Sequence, residues 1–317
     1  MADTPRDPTR REVIRLGIAA GLGLALGPFP VRALGARSSE LITRPIPSSG
    51  ERIPVIGLGT NNFSVQTEEE LTPLREVLRR MAELGGKVVD TAPGYGRAEE
   101  VIGQIVEELG IRDRLWIATK VTAPGDKAYR GVAMMEESFQ RLRVDRVELM
   151  QVHNMNGAAA ILPVMKEWKQ AGRIRYIGVT TGSDQHAEEL LALMRREPLD
   201  FIQVQYSIAN RTAAERILPL ARDRGIAVLA NRPLGGRHRG NVVRMVQGRP
   251  LPDWAAEIDC TSWAQLFLKY ILAHPAVTCA IPGTTRVAHL EDNLGAARGR
   301  LPDAEMRRRI ERLFDAT

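Results

Sequence analysis

The chain has 317 residues, with 44% apolar and 26% charged side chains and a formal charge of +6, a composition ordinary for a globular protein. Its arginines are dispersed and only 5% of residues are aromatic, so no basic stripe with interleaved stacking residues marks a nucleic-acid surface. Two cysteines, Cys260 and Cys279, make neither a CxxC pair nor a disulfide framework, and the five histidines are scattered away from paired carboxylates, so no metal site is expected.

In chain order, the first segment stands apart. Thr9-Arg10-Arg11-Glu12 leads into a Gly/Ala/Leu run from Leu16 to Gly27, then Pro28, Pro30 and Ala33-Leu34-Gly35-Ala36. A basic start, a short apolar middle and a small-residue end predict an export signal over residues 1–36, and the paired arginines resemble the twin-arginine type. The apolar run is too short to cross ~30 Å of hydrocarbon, so no stable membrane span is expected after processing. Expected partners are the export machinery for folded proteins and a small-molecule substrate; the expected location is the bacterial periplasm, or the cytoplasm if the signal is unused.

Beyond a Ser/Pro/Gly link at 45–50, strand and helix patterns alternate. Short apolar runs at Ile53–Leu58, Lys87–Asp90, Leu115–Lys120, Val147–His153, Tyr176–Thr180, Phe201–Gln205, Ala227–Ala230 and Val277–Ile281 read as strands buried on both faces of a parallel sheet. Thr67 with Glu70, and Thr212 with Glu215, predict capping boxes at the starts of amphipathic helices. Further helices are expected over Glu99–Leu109, Val132–Leu142, Ala158–Gln170, Asp184–Arg196, Ser262–Ala273 and His289–Ala297, with Gly85-Gly86, Gly172 and Gly225 as stops. Eight β-then-α units predict an α/β fold, a (β/α)8 TIM barrel over residues 37–317. A long loop at 232–260 and a basic C-terminal helix at 302–314 lie outside the repeat, and Trp254 is expected to pack beneath that loop.

In such a barrel reactive side chains belong at the C-terminal ends of strands. Strand two ends in Asp90 with Tyr95 in its loop, strand three in Lys120 and strand four in His153. A phenol is a poor acid at neutral pH, and an adjacent ammonium draws it toward the useful range. A carboxylate fixes the amine, and a neutral imidazole orients a carbonyl oxygen. The set suits proton delivery to a carbonyl while hydride arrives from elsewhere.

Asp90-Thr91-Ala92-x-x-Tyr95-Gly96 with Glu99, Ile117-Ala118-Thr119-Lys120 and Leu149-Met150-Gln151-Val152-His153-Asn154 resemble the catalytic segments of the aldo-keto reductases. The resemblance runs on through Tyr176-Ile177-Gly178-Val179, Ile202-Gln203-Val204, Ala280-Ile281-Pro282-Gly283-Thr284-Thr285-Arg286 and His289-Leu290-Glu291-Asp292-Asn293. It implies an oxidoreductase reducing aldehyde and ketone carbonyls with NADP(H), NAD(H) remaining open, with Asp90, Tyr95, Lys120 and His153 as the catalytic set. It further implies cofactor contacts from Thr60, Thr180, Gln203, Asn231, Leu234, Gly283, Thr284, Arg286 and Asn293, with Gln203 on the carboxamide and Arg286 at the 2′-phosphate. Two departures stand out. Thr180-Thr181 replaces the family's usual Ser-Asn, and Asn231-Arg232 replaces a Tyr-Ser pair whose aromatic ring stacks on nicotinamide. They motivate an alternative expectation, a slow NADP(H)-binding sensor or accessory subunit on the same barrel.

Overall fold

A computed structural model describes residues 40–236 and 240–316; the segment expected to be an export signal lies outside the described residues. The described chain opens with an antiparallel hairpin of β1 (Thr43–Pro45) and β2 (Arg52–Pro54). Strands and helices then alternate: β3 (Leu58–Gly59), α1 (Glu68–Glu83), β4 (Val88–Asp90), α2 (Ala98–Leu109), β5 (Trp116–Val121), α3 (Ala128–Leu142), β6 (Val147–Val152) and α4 (Ala158–Gln170). They continue through β7 (Ile174–Thr181), α5 (Ala187–Arg196), β8 (Phe201–Gln205), α6 (Ala213–Asp223) and β9 (Ala227–Asn231). After a small ribbon of β10 (Gly235–Gly236) and β11 (Gly240–Asn241) come α7 (Val242–Met245), α8 (Trp263–Leu272), β12 (Cys279–Ala280), α9 (Val287–Gly295) and α10 (Ala304–Asp315).

Eight strands pair in parallel in the order β12-β9-β8-β7-β6-β5-β4-β3. The sheet closes on itself through parallel bridges Ile56↔Ala280 and Gly59↔Gly283, with Gly57 N donating to Ala280 O at 2.9 Å and Ala280 N to Val55 O at 2.9 Å. At this seam a Cβ on Gly59 would come within 2.9 Å of Ile281 O, so only glycine lets the edges meet. The result is the expected (β/α)8 barrel.

Two apolar layers hold it. An inner cluster at the foot of the barrel joins Trp116, Tyr176 and Phe201 to Ile46 and Ile53 of the hairpin, which plugs the N-terminal end. The outer layer lies between strands and helices. On α1 it takes Leu71, Leu74, Leu78 and Met81, each fully buried side chain contributing about 1.5–3 kcal/mol. That helix begins as expected, with Glu70 N donating to Thr67 Oγ1 at 3.3 Å and Thr67 N to Glu70 Oε2 at 3.1 Å.

Some boundaries differ from expectation. Ile53 belongs to β2, because its partner is Arg44 in the hairpin; the barrel strand starts only at Leu58. The Thr212/Glu215 box does not form. Thr212 is itself helical (φ −54°, ψ −38°), and Asn210 Oδ1 accepts its N–H at 3.3 Å, so a Ser207–Asn210 turn starts α6 instead. Helix α3 begins at Ala128, ahead of the predicted Val132.

The loop at 232–260 carries the ribbon, α7 and a 3₁₀ turn at Asp253–Ile258. Within it Trp254 packs half-buried against the core, its ring 4.4 Å beneath the Arg309 guanidinium. Fully buried Lys269 pins the end of the loop to the C-terminal segment by donating to Ile258 O (2.6 Å), Arg298 O (2.7 Å) and Arg300 O (2.8 Å). Cys260 and Cys279 are free and buried; burial pushes the Cys260 thiol up to about 12, which keeps it protonated. Among the described residues no helix is long and apolar enough to cross a membrane.

Candidate active site

Asp90 is the last residue of β4 and is buried. Thr60, at the end of β3, holds its main chain: Thr60 N and Oγ1 both donate to Asp90 O, at 3.1 and 2.8 Å. Past Asp90 the chain enters a 3₁₀ turn, Pro93–Tyr95, that lifts Tyr95 over the rim. The turn exits through Gly96 at φ +63°, where any Cβ would strike the Ser64 hydroxyl.

On the neighbouring strand, Lys120 lies with 1% of its side chain exposed and its Nζ 2.8 Å from Asp90 Oδ2. A second bond goes to Thr91 O at 2.8 Å, and the ammonium stands 5.0 Å from the centre of the Tyr95 ring. Burial opposes this charge, but attraction to Asp90 and Tyr95 outweighs it and holds the amine above its ordinary range. Lys120 is therefore a fixed cation beside the phenol.

His153 begins the turn after β6, its ring edge-on to Tyr95 at 6.1 Å and 89°. Burial, then the Lys120 charge, lower it to about 4 against a smaller pull from Asp90. The imidazole is thus neutral at pH 7, able to donate a hydrogen bond without carrying charge.

Two glutamines complete Asp90. Gln203 Nε2 donates to Asp90 Oδ1 at 2.7 Å and Gln151 Nε2 to the same oxygen at 3.3 Å. Both are buried, so Gln203, expected at the carboxamide, is also part of the carboxylate's cage. Gln151 is a site residue that sequence reasoning missed. Its signal was its place two residues before His153, which on a strand means the same face. Glu99 was named with the Asp90–Gly96 segment but given no role. Fully buried, it accepts from Thr119 Oγ1 (2.5 Å), Ser138 Oγ (3.2 Å) and Arg141 Nε (2.8 Å), tying α2 and α3 behind the residue that precedes Lys120.

The other predicted positions fall on the same C-terminal rim. Thr180 Oγ1 accepts the Asn154 N–H at 3.1 Å, and Gly182 N donates to Asn154 Oδ1 at 3.3 Å, which braces the His153 turn. That turn carries Asn154 and Met155 at φ 51° and 57°, a conformation the two bonds help to hold. Asn231 Nδ2 donates to Thr181 O at 3.4 Å, leaving Asn231 Oδ1 buried with no partner among the described residues. Leu234 packs half-buried beside it in sequence. In the loop after β12, Gly283 is exposed and Thr284 is buried, its Oγ1 accepting the Arg286 N–H at 3.1 Å. Arg286 is exposed at the N-terminus of α9, and Asn293 is buried farther along that helix.

A cavity of about 390 Å³ lies elsewhere, at the N-terminal end of the strands between Ser48, Ser49, Lys169, Arg175 and Tyr176. It touches none of the four reactive residues. Charge, perturbed basicity and the unpartnered Asn231 oxygen all sit at the other end, which we take as the site.

The chain and its barrel are matched by relatives. Residues 55–313 match the profile of the Aldo/keto reductase family. The chain is 33% identical over 200 residues to Aldo-keto reductase YhdN of Bacillus subtilis, an alignment covering 58% of this chain and 59% of that protein. It is 27% identical to Methylglyoxal reductase YeaE of Escherichia coli over 80% of this chain and 89% of that one. A crystal structure of an aldo-keto reductase from Klebsiella pneumoniae in complex with NADPH superposes with a TM-score of 0.69 and 26% identity, covering 87% of this chain and 95% of that one. The chain belongs to the aldo/keto reductase family and is an oxidoreductase of that type.

Proposed function

We propose that this protein reduces the carbonyl of small aldehydes and ketones to alcohols with NADP(H), using Tyr95 as general acid. The observation that carries the reading is Lys120: a buried ammonium held 2.8 Å from Asp90 and 5.0 Å from the Tyr95 ring. The residues present fit the nucleotide. Asn231 Oδ1 offers a buried acceptor without a partner, and Arg286 offers a charge at a helix N-terminus, chemistry suited to a carboxamide and a phosphate respectively. The NADPH complex of the Klebsiella relative supports the same cofactor.

When bound, the nicotinamide supplies hydride to the carbonyl carbon. Neutral His153 donates a hydrogen bond that fixes the carbonyl oxygen. Tyr95 passes its phenolic proton to that oxygen, and Lys120 stabilises the phenolate left behind. Asp90 keeps Lys120 in place, and Gln203 and Gln151 hold Asp90. Gln203, Asn231 and Thr180 would serve the nicotinamide end, Leu234 and Thr60 the bridge, and Gly283, Thr284, Arg286 and Asn293 the adenosine-phosphate end.

NADPH oxidation with a panel of aldehydes, ketones and quinones tests this, with Tyr95→Phe as control. The expected result is turnover that falls at least a hundred-fold in the variant while nucleotide binding persists. Tight binding without single-turnover transfer would replace the reductase with a nucleotide sensor. From the sequence of residues 9–36 we also infer export by a twin-arginine route, with cofactor loaded before transport. Mass spectrometry of nucleotide released from the exported fraction tests it; protein found only in the cytoplasm would reject it.

A further inference from the structure

In many barrels phosphate is held by the loops after strands seven and eight together with a helix N-terminus. Here those strands are β9 and β12. The first of these loops opens on exposed Arg232, with Arg244 and Arg249 farther along it, and the second presents exposed Arg286; neither Arg232 nor Arg286 forms an ion pair among the described residues. Arg286 opens α9. Arg232 follows Asn231 directly, so in strand order it stands between the catalytic centre and the loop that carries Gly283, Thr284 and Arg286.

The placement of Arg232 is specific. Its backbone adopts φ +48°, a conformation that disfavours side-chain-bearing residues and concentrates at functional positions. Nη1 donates to Gly182 O at 3.0 Å, which bridges the loops after β7 and β9 across the end of β8. A Cβ on Gly182 would lie 3.3 Å from Arg232 Nη2, so the guanidinium rests on bare backbone. One arm of the fork is used; its other N–H donors meet no protein acceptor among the described residues. A planar fork, anchored at one end and unpaired at the other, is suited to a diphosphate.

We propose that Arg232 is a diphosphate-binding residue: it holds the bridge of the dinucleotide, the part common to NADP and NAD, while Arg286 reads the 2′-phosphate. The proposal rests on the reductase reading above. It divides the two charges between affinity for any dinucleotide and selectivity for the phosphorylated one. It also explains how the site tolerates Asn231 where an aromatic stack is expected, since the anchor has moved one residue along the same loop.

Titration calorimetry with NADP⁺ and NAD⁺ on the full chain tests it, using Arg232→Ala, Arg232→Lys and Arg286→Ala, with thermal unfolding to confirm that each folds. Arg232→Ala is expected to weaken both nucleotides by the same factor, roughly ten-fold or more, with the gap narrowing at high salt. Arg232→Lys should recover part of the loss, and Arg286→Ala should weaken NADP⁺ alone. Native-like binding of both nucleotides by Arg232→Ala overturns the proposal, as does a loss confined to NADP⁺. Native protein that binds neither nucleotide overturns the reductase reading itself.

Discussion

Replacing Asp90 by Asn isolates the buried ion pair on which the site depends. The Lys120 and Asp90 side chains are 1% and 4% exposed, so water cannot take the carboxylate's place. Removing one partner of a buried pair costs ~3–5 kcal/mol. The low end applies, because Lys120 keeps its bond to Thr91 O and the new amide still accepts from Gln203. For a barrel of this size ~3 kcal/mol lowers Tm by about 5 °C. The pH dependence is more diagnostic. In the native protein the Lys120 amine titrates above its ordinary value, so its stabilisation is complete below about pH 10 and is lost as pH rises through the raised value. In Asp90→Asn the larger of the two attractions that opposed burial is gone, and the amine is expected to fall below its unfolded value. The unfolded chain then binds more protons, and stability climbs from neutral pH toward about 10. Across that range urea denaturation should therefore find the native protein's stability flat and the variant's rising, with the native protein losing stability only above about pH 10. A variant that loses less than about 1 kcal/mol and stays flat over the same range would refute the account of Lys120 as a cation held by Asp90.

Four further outcomes follow. His153 titrates at about 4, so KM for a neutral carbonyl should be flat from about pH 5 upward, measured in steady state; a break near 6.5 would mean that the imidazole is not desolvated. The same depressed value makes His153 destabilising as pH falls from about 6.5 to about 4, by up to ~3 kcal/mol, and His153→Gln should flatten that part of a denaturation profile. Gly59→Ala should cost ~1–3 kcal/mol through the clash with Ile281 O at the barrel seam, seen as a drop in urea midpoint; an unchanged midpoint would mean that the seam can open. Glu99→Gln leaves Arg141 without its buried partner and should cost ~2 kcal/mol, with kcat reduced more than KM, because the loss reaches Lys120 through Thr119.

The barrel was legible because parallel strands buried on both faces give short apolar runs, and glycines such as Gly85, Gly172 and Gly225 end the helices at positive φ. What sequence could not divide was Ile53–Leu58, which is apolar throughout; only the pairing partner separates the plug hairpin from the first barrel strand. The Thr212/Glu215 spacing misled for a related reason. A capping box is a local pattern, and Ser207 and Asn210, farther upstream, had already supplied the turn that starts the helix.

That Asp90, Tyr95, Lys120 and His153 meet was legible from position alone, since each closes or follows a strand at the end where barrel chemistry sits. Their supports were not, because support depends on which side chains meet across strands. Gln151 looks like any strand glutamine until the register sets Lys120 opposite it and Asp90 accepts from it. Thr180 was expected to face the cofactor, yet its hydroxyl accepts the Asn154 N–H and braces the turn that carries His153. Asn154 ties back to Gly182, and Gly182 O takes Arg232. One chain of contacts thus runs from the imidazole turn through the end of β7 to the exposed arginine. The Thr180-Thr181 and Asn231-Arg232 departures are therefore linked. Thr180 holds the turn, Asn231 bonds Thr181 O, and Arg232 covers Gly182. Loss of the Asn231 side chain would take a donor from Thr181 O, and loss of Arg232 would take one from Gly182 O, so the end of β9 and the loop after it support the backbone at the end of β7, which in turn braces the His153 turn.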